Sequence, residues 1–480
     1  MLSIYKASAG SGKTYTLTRE YLRMLLQDKQ LLDDKRLPHS RILAVTFTKK
    51  STAEMKERIL RELYILATDP NQSEYIKDFI SDTSIGMNTS EIQKRAQALL
   101  IGILQDYTRF SVSTIDGFFQ QVIRSFAKEL GLSATYDVSL DNEEIVQQAV
   151  DDLFRRIREQ QQEDDELRTW IIDFAQNNID ADKQWNPSEL VKKFSIELFK
   201  ERLMRRMNAI QKAFSDKELM RQYQHQLTQI CEQAEQQVGL LIQQALQIFA
   251  TETGWTANLL KAFAKTPTSW LNGEIGSTFN KVLNNPSSVY VKSISKTQQQ
   301  HLADIYAQQL EPIFLQLHQI CTGETACNYF TAKAILPNLY TMGILQDVDR
   351  QITETDLYLG RLPISKTNQL INQIIDGQDA PFIYERIGQY YRHYMIDEFQ
   401  DTSALQWENF APLIHETEDN NRDNLIVGDV KQSIYRFRNS DWRLLNAVPS
   451  QFHNISLPKM EENWRTAKVV ITENEKILQR

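Results

Sequence analysis

Near the start of the 480-residue chain stands Ala7-Ser8-Ala9-Gly10-Ser11-Gly12-Lys13-Thr14, which has the residue types and spacing of a phosphate cradle. Such loops follow G-x-x-x-x-G-K-[ST], and here Ala7 occupies the first glycine position. Glycines let backbone N–H groups turn towards a polyphosphate, and a following helix adds its positive N-terminus. Lys13 would reach the β- and γ-phosphates, and Thr14 would place its hydroxyl on Mg2+. Ala7 costs little, because its Cβ is the only addition.

A second stretch supplies the acids such a loop needs. In "YMIDEFQDTSALQ" (394–406), Asp397 follows an apolar strand pattern, so its carboxylate would emerge at the carboxyl end of that strand and hold Mg2+. Glu398 is placed to polarise an attacking water. Two adjacent acids at a strand end can also cap a turn or helix; the loop in the same chain favours the metal reading. A third stretch, "LIVGDVKQSIYRFRNSD" (425–441), ends another strand pattern in a polar turn, where the Gln432 amide could sense a γ-phosphate. Tyr435 and Phe437 alternate with Arg436 and Arg438. Exposed rings with interleaved cations suit stacked bases and backbone phosphates, whereas the same pattern buried would be core.

The elements that must position these residues are legible as pattern. "SIYKAS", "RILAVTF", "FSVSTID", "RHYMIDEF" and "DNLIVGDV" read as short buried strands, and helical periods follow most of them. Strand and helix in alternation predict an α/β fold with a parallel sheet. Lys13 and Asp397 stand 384 positions apart, too far for one simple nucleotide-binding domain. A large insertion must separate two halves of the sheet, and the Gln-rich, helical region between about 140 and 345 is the candidate. Within it Met220, Tyr223, Leu227, Ile230, Ala234, Val238, Leu241 and Ala245 fall at gaps of three and four, which predicts one apolar stripe along a long helix.

Composition bounds the rest. The chain is 41% hydrophobic and 24% charged, ordinary for a globular protein, and its length suggests two to four domains. It has no apolar run long enough to cross a membrane. Its first residues read as a strand and not as a signal peptide. Cys231, Cys321 and Cys327 lack metal-ligand or redox spacing, which predicts reduced thiols and a cytoplasmic protein. The net charge of −8 argues mildly against nucleic acid, but a local basic groove is enough to hold a phosphate backbone.

Six segments in order, "ASAGSGKT", "ILAVTFTKKSTAEMKERI", "VSTIDGFFQQVI", "IDEFQDTSALQ", "VGDVKQSIYRFR" and "ENWRTA", resemble the first motifs of the UvrD/Rep superfamily-one DNA helicases. The details, above all "FIYERIGQYYRHYMIDEFQDTS", look most like the RecB and AddA branch of helicase–nucleases. The resemblance implies a RecA-like P-loop parallel sheet with a large inserted all-helical domain. Residues 1–140 and 346–456 would be the two halves of motor domain 1A, 141–345 the inserted domain 1B, and 457–480 the start of a second motor domain. It implies an ATP-dependent, Mg2+-requiring motor moving 3′ to 5′ on single-stranded DNA. Its further partners would be duplex DNA at the fork and a nuclease subunit.

Residue by residue, the resemblance implies that Thr46 and Thr48 contact DNA phosphates, that Phe47 and Phe437 stack on bases, and that Thr114 touches the backbone. Tyr435 and Arg438 would belong to the same track. Gln432 would couple the γ-phosphate to the DNA. Arg465 would reach the γ-phosphate, and Trp464 would stack on adenine; as a lone residue, Trp464 could equally be core. Asp116 stands where the family often has histidine, which weakens a direct DNA role there. Six residues precede Ala7 in this sequence, so no counterpart of the upstream glutamine that reads adenine is expected, and ATP preference is what the resemblance implies. The sequence stops at Arg480, before the family's later motifs, so an N-terminal portion of a longer helicase is expected, active only weakly by itself. Residues 191–212 hold seven Lys or Arg against two Glu, a helix face that could track duplex phosphates or simply be solvated. Two other readings stay open: a DNA-stimulated ATPase that does not unwind, and a P-loop kinase or small-molecule NTPase, against which the "TFTKK" and "QSIYRFR" tracks argue.

Overall fold

The computed structural model describes residues 1–478 except 9, 28–37, 128–131, 133–134, 140, 160–164, 181, 183–185, 215, 274–280, 283–284, 377–390 and 461. Most of "FIYERIGQYY" and the final Arg480 lie outside the described residues. The chain divides into two units: the first comprises Met1–Asn142, Phe199–Met204 and Glu354–Arg480, the second Glu143–Leu198 and Arg205–Thr353.

The first unit is α/β. Its strands are β1 (Leu2–Lys6), β2 (Ile42–Thr46), β3 (Val112–Thr114), β4 (Asp137–Ser139), β5 (Arg361–Pro363), β6 (His393–Ile396), β7 (Asn424–Gly428) and β8 (Ile455–Ser456). Six of them form one sheet in the order β3-β2-β6-β7-β1-β8, and β4 pairs with β5 separately. The pairings are parallel, with Ile4 opposite Ile426 and Ala44 opposite Met395. Alternation sends Leu2, Ile4, Leu43, Val45, Tyr394, Ile396 and Ile426 to one face, where they meet Phe118, Phe119, Trp407 and Phe410. It sends Ile42, Ala44, Met395, Leu425 and Val427 to the other, against Tyr21, Leu25, Ile59 and Leu99. A parallel sheet buried on both faces requires such apolar runs, and helices cover each face. All strand ends therefore open onto one edge, where the chemistry-bearing loops leave the sheet.

The five strands expected from apolar runs are present. Three others lie outside the apolar runs: β4 and β5 have three residues each, and β8 has two. Length alone does not hide a strand, since the expected β3 also has three residues, and these three are revealed by their pairing with neighbouring backbone.

The second unit is helical. Its helix Lys217–Thr251 buries Met220, Leu227, Cys231, Ala234, Val238, Leu241, Ile242, Ala245 and Phe249. The expected stripe needs correction at two places: Tyr223 and Ile230 are 39% and 36% exposed. The buried line passes through Cys231 instead and broadens at Ile242 to meet Trp255, Phe263, Trp270 and Phe314. Elsewhere in this unit Trp170 is fully buried and donates from Nε1 to the Tyr340 carbonyl at 3.0 Å. The Lys217 ammonium, also buried, pairs with Asp347 at 2.9 Å and donates to the Gly343 carbonyl. No helix among the described residues is long and apolar enough to cross a membrane.

Gly343 is required by packing, because a Cβ there would stand 2.7 Å from Trp170 Cζ2. Gly343→Ala is therefore expected to destabilise the second unit by about 1–3 kcal/mol through overpacking. Urea unfolding followed by Trp fluorescence checks this, and an unchanged midpoint would contradict it.

Candidate nucleotide site and nucleic-acid interface

The opening loop is built by its tether to the sheet and by backbone that only glycine adopts freely. Ala7 is buried, and its N–H donates to the Gly428 carbonyl at 3.0 Å, fixing the loop's start to the end of β7. Gly10 and Gly12 have φ of +81° and +88°, the left-handed region that side chains disfavour. The Ser8 carbonyl accepts from the Ser11 N–H at 3.1 Å and from the Ser11 hydroxyl at 2.7 Å. Lys13 opens the helix Lys13–Gln27, and Thr14 is exposed in its first turn. Ala9 lies outside the described residues.

The "NWRTA" segment lies directly on this loop. The Trp464 N–H donates to the Gly10 carbonyl at 2.8 Å. Asn463 Oδ1 accepts from the N–H groups of Arg465 and Thr466 at 3.0 and 2.9 Å, which folds the segment into a turn. Trp464 is 78% exposed, so it is not a core tryptophan, and its ring stands above Gly12. Arg465 is exposed, its Cβ against Gly10.

Three strand ends meet at one ammonium. Lys13 Nζ donates to Glu398 Oε2 at 3.3 Å and to Gln432 Oε1 at 3.0 Å. Lys13 follows β1, Glu398 follows β6 and Gln432 follows β7, so β7 lies between the strands that carry the other two. Gln432 Nε2 in turn donates to Asp429 Oδ2 at 2.7 Å. The Asp397 N–H donates to the Val45 carbonyl at 2.9 Å, extending the pairing with β2 by one residue. At Glu398 the chain turns left-handed, with φ of +51° and ψ of +42°. A non-glycine residue held there stores strain, and such residues concentrate at functional sites.

Burial, and then the neighbouring Glu398 carboxylate, raise Asp397 to about 7; the same causes raise Asp401 to about 6. Carboxylates crowded around one lysine are the environment that a divalent cation relieves. The residues present fit Mg2+ in that sense: Asp397 and Thr14 are hard oxygen ligands, and Mg2+ in nucleotide sites takes one or two protein ligands plus phosphates and water. Among the described residues no cluster of three His, Cys, Asp or Glu exists that would hold a metal by protein groups alone.

The aromatic track is a surface feature. The Phe47 and Tyr435 rings are 4.5 Å apart, and Tyr435 and Phe437 are 5.9 Å apart. The Arg438 guanidinium lies 6.0 Å from the Phe47 ring and 5.8 Å from Tyr435. Phe437 is 78% exposed and Ile434 70%, which rejects the core reading of this segment. Thr48 accepts the Ser51 N–H at 3.1 Å as cap of the helix Lys49–Thr68, and Thr114 accepts the Gly117 N–H at 3.0 Å as cap of Ile115–Ser125. Thr46 differs from expectation. It is fully buried, and its hydroxyl bonds the Thr48 carbonyl at 3.1 Å and the Thr52 hydroxyl at 2.7 Å, so it shapes the loop from behind instead of facing a phosphate. Asp116 accepts from Gln406 Nε2 at 3.0 Å, tying the start of one helix to the segment after the acidic pair.

Sequence pattern missed Gln400. It is 1% exposed, and its Nε2 donates to Glu398 Oε2 at 2.7 Å. A glutamine inside the acidic segment, next to Asp401, has no periodic signature; its burial and its bonds mark it.

Gly10→Ala is expected to weaken nucleotide binding about tenfold, since the strain of a left-handed alanine is of order 1–3 kcal/mol. The Cβ would in addition meet Asn463 Oδ1 at 2.6 Å. Titration with a fluorescent ATP analogue measures it, and wild-type affinity would contradict it.

A profile of the UvrD/REP helicase N-terminal domain matches residues 3–453. The chain is 22% identical over 505 residues to the RecBCD enzyme subunit RecB of Haemophilus influenzae, covering 98% of this chain and 39% of that protein. It is 22% identical over 509 residues to an ATP-dependent helicase/nuclease of Streptococcus mutans, covering 98% of this chain and 37% of the relative. A shorter stretch of 102 residues, 21% of this chain and 11% of the relative, is 37% identical to the ATP-dependent DNA helicase srs2 of Schizosaccharomyces pombe. The chain thus spans less than two fifths of the length of these relatives.

Proposed function

Because the chain belongs to the UvrD/REP helicase N-terminal domain family, we propose that it is the ATP-binding motor portion of a DNA helicase or translocase of repair and recombination. The observation that carries this reading is the Lys13 ammonium shared by Glu398 and Gln432, with Gln432 on the segment that also bears Tyr435 and Phe437. One segment therefore touches both the phosphate lysine and an exposed aromatic surface. A small-substrate kinase has no use for that surface.

In this reading the loop Ala7–Thr14 cradles the ATP phosphates, Lys13 neutralises the β- and γ-phosphates, and Arg465 approaches the γ-phosphate from the segment lying on Gly10. Thr14 and Asp397 hold Mg2+, which supplies charge neutralisation for phosphoryl transfer. Glu398 orients the attacking water. Trp464, exposed above Gly12, offers its ring to the base of the nucleotide. Phe47, Tyr435 and Phe437 stack bases of single-stranded DNA, with Arg438, Thr48 and Thr114 along its backbone. The second unit corresponds to the inserted domain 1B and faces duplex DNA at the fork, and residues 457–480 begin a second motor domain. Movement is 3′ to 5′, in the cytoplasm. The name of the Streptococcus mutans relative, an ATP-dependent helicase/nuclease subunit, supports an associated nuclease activity, and both relatives are named as subunits, which supports a partner protein.

For the protein in its native length, steady-state ATPase activity with and without single-stranded DNA tests the proposal. Stimulation by DNA is expected, and its absence would sink the motor reading; strand displacement then divides helicase from translocase. Lys13→Ala and Glu398→Gln are each expected to lower turnover by about 100-fold or more, the second with ATP binding retained. Phe437→Ala is expected to reduce DNA stimulation while basal ATP binding persists, because base–aromatic stacking contributes about 1–3 kcal/mol. Undiminished stimulation in that variant would count against the stacking role.

A further inference from the structure

Gln400 has partners on both sides of its amide. Its Nε2 donates to Glu398 Oε2 at 2.7 Å and reaches Asp401 Oδ2 at 3.4 Å, and its Oε1 accepts the Asp429 N–H at 2.8 Å. Carboxylates on one side and a backbone donor on the other allow one orientation of the amide. Room for it is made by Gly428, where a Cβ would stand 2.9 Å from Gln400 Oε1 and 3.3 Å from its backbone nitrogen. The Gln400 carbonyl accepts from the Ser433 hydroxyl at 3.3 Å, and the Asp401 carboxyl accepts the Ile434 N–H. Gln400 and its neighbour thus grip both ends of the segment 429–434, which leads directly into Tyr435.

Glu398 Oε2 has two donors, and they are not equivalent. Lys13 is at 3.3 Å and shared with Gln432, whereas Gln400 is at 2.7 Å, its amide held in place by Asp401 and by the Asp429 N–H. A lysine drawn to a γ-phosphate leaves the carboxylate to Gln400. We propose that Gln400 is the positioning residue that fixes Glu398 during water activation and transmits to it the position of the segment bearing Tyr435 and Phe437. This rests on the motor reading of the site. Gln432 senses the phosphate through Lys13; Gln400 sets the geometry of the carboxylate.

The test compares Gln400→Leu and Gln400→Glu with wild type in the native-length protein, measuring kcat and KM for ATP, DNA stimulation and DNA affinity. Glu at this position keeps the volume and the acceptor for the Asp429 N–H but exchanges the amide donor for a carboxyl beside Glu398 and Asp401, so kcat is read at about pH 9, where that carboxyl is ionised and has no proton to donate to Glu398. Both variants are expected to lower DNA-stimulated kcat by about 10- to 100-fold, with KM for ATP and DNA affinity within about twofold of wild type, the pattern of an interaction used in the transition state alone. Wild-type kcat in Gln400→Glu would overturn the proposal, whether or not Gln400→Leu folds. So would a parallel loss of ATP and DNA affinity in Gln400→Glu, which is the signature of a merely structural residue. If wild type turns over ATP but ignores DNA, the motor reading fails by itself, and the basal kcat of Gln400→Glu still decides whether Gln400 positions Glu398.

Discussion

The site depends on one ammonium held between two strand ends. Lys13 sits 3.3 Å from Glu398 and 3.0 Å from Gln432, and each of the three residues leaves a different strand of the same sheet. Their convergence is a property of parallel pairing: every strand in the sheet ends at the same edge, so loops hundreds of residues apart in sequence become neighbours. The register holds them there. Lys6 lies opposite Gly428, so β1 and β7 finish together, while Ile396 lies opposite Val45 and Ile426, so β6 finishes one residue short of β2 and two short of β7. A slip of one residue in any of them would turn its apolar side chains to the wrong face of a sheet that is buried on both.

The same edge explains why the phosphate loop and the aromatic track belong to one apparatus. β7 is flanked by β1 and β6, and the segment that leaves it carries Asp429, Gln432, Tyr435 and Phe437 in succession. Its first half faces the lysine and the acids. Its second half carries the exposed Phe437 and packs its Tyr435 ring, tilted, against Phe47, which follows β2. A displacement of this segment cannot leave the lysine contact unchanged, because only two residues separate Gln432 from Tyr435. The left-handed backbone at Glu398 is consistent with a part that is held in place by its partners and not by its own preference.

Much of this was legible beforehand. The glycine loop, the acidic pair and the Tyr/Phe/Arg alternation carry their chemistry in residue type and spacing, and the five apolar runs announce the strands. What escaped has physical causes. β4, β5 and β8 are short strands outside the buried apolar runs, set by pairing with neighbouring backbone. Thr46 sits in a strand-end motif whose pattern is the same whether its hydroxyl points outward or inward, and packing turned it inward onto Thr52. Tyr223 and Ile230 fit the helical period, but the partners of the second unit's core lie against Cys231 and Ile242, which shifts the buried line. Gln400 is a polar residue held by two carboxylates of its own segment, Glu398 and Asp401, and by the backbone N–H of Asp429, which lies 29 positions away and which no local pattern connects to it.

If phosphate sensing and base stacking share the segment after β7, nucleotide and DNA must alter each other's affinity by the same factor. The most direct measurement is the affinity of the protein for a single-stranded oligonucleotide with and without a non-hydrolysable ATP analogue and Mg2+. The account predicts a change of about 5- to 150-fold, the ordinary range of such coupling. Identical affinities in the two conditions, with the analogue shown to be bound, would contradict it.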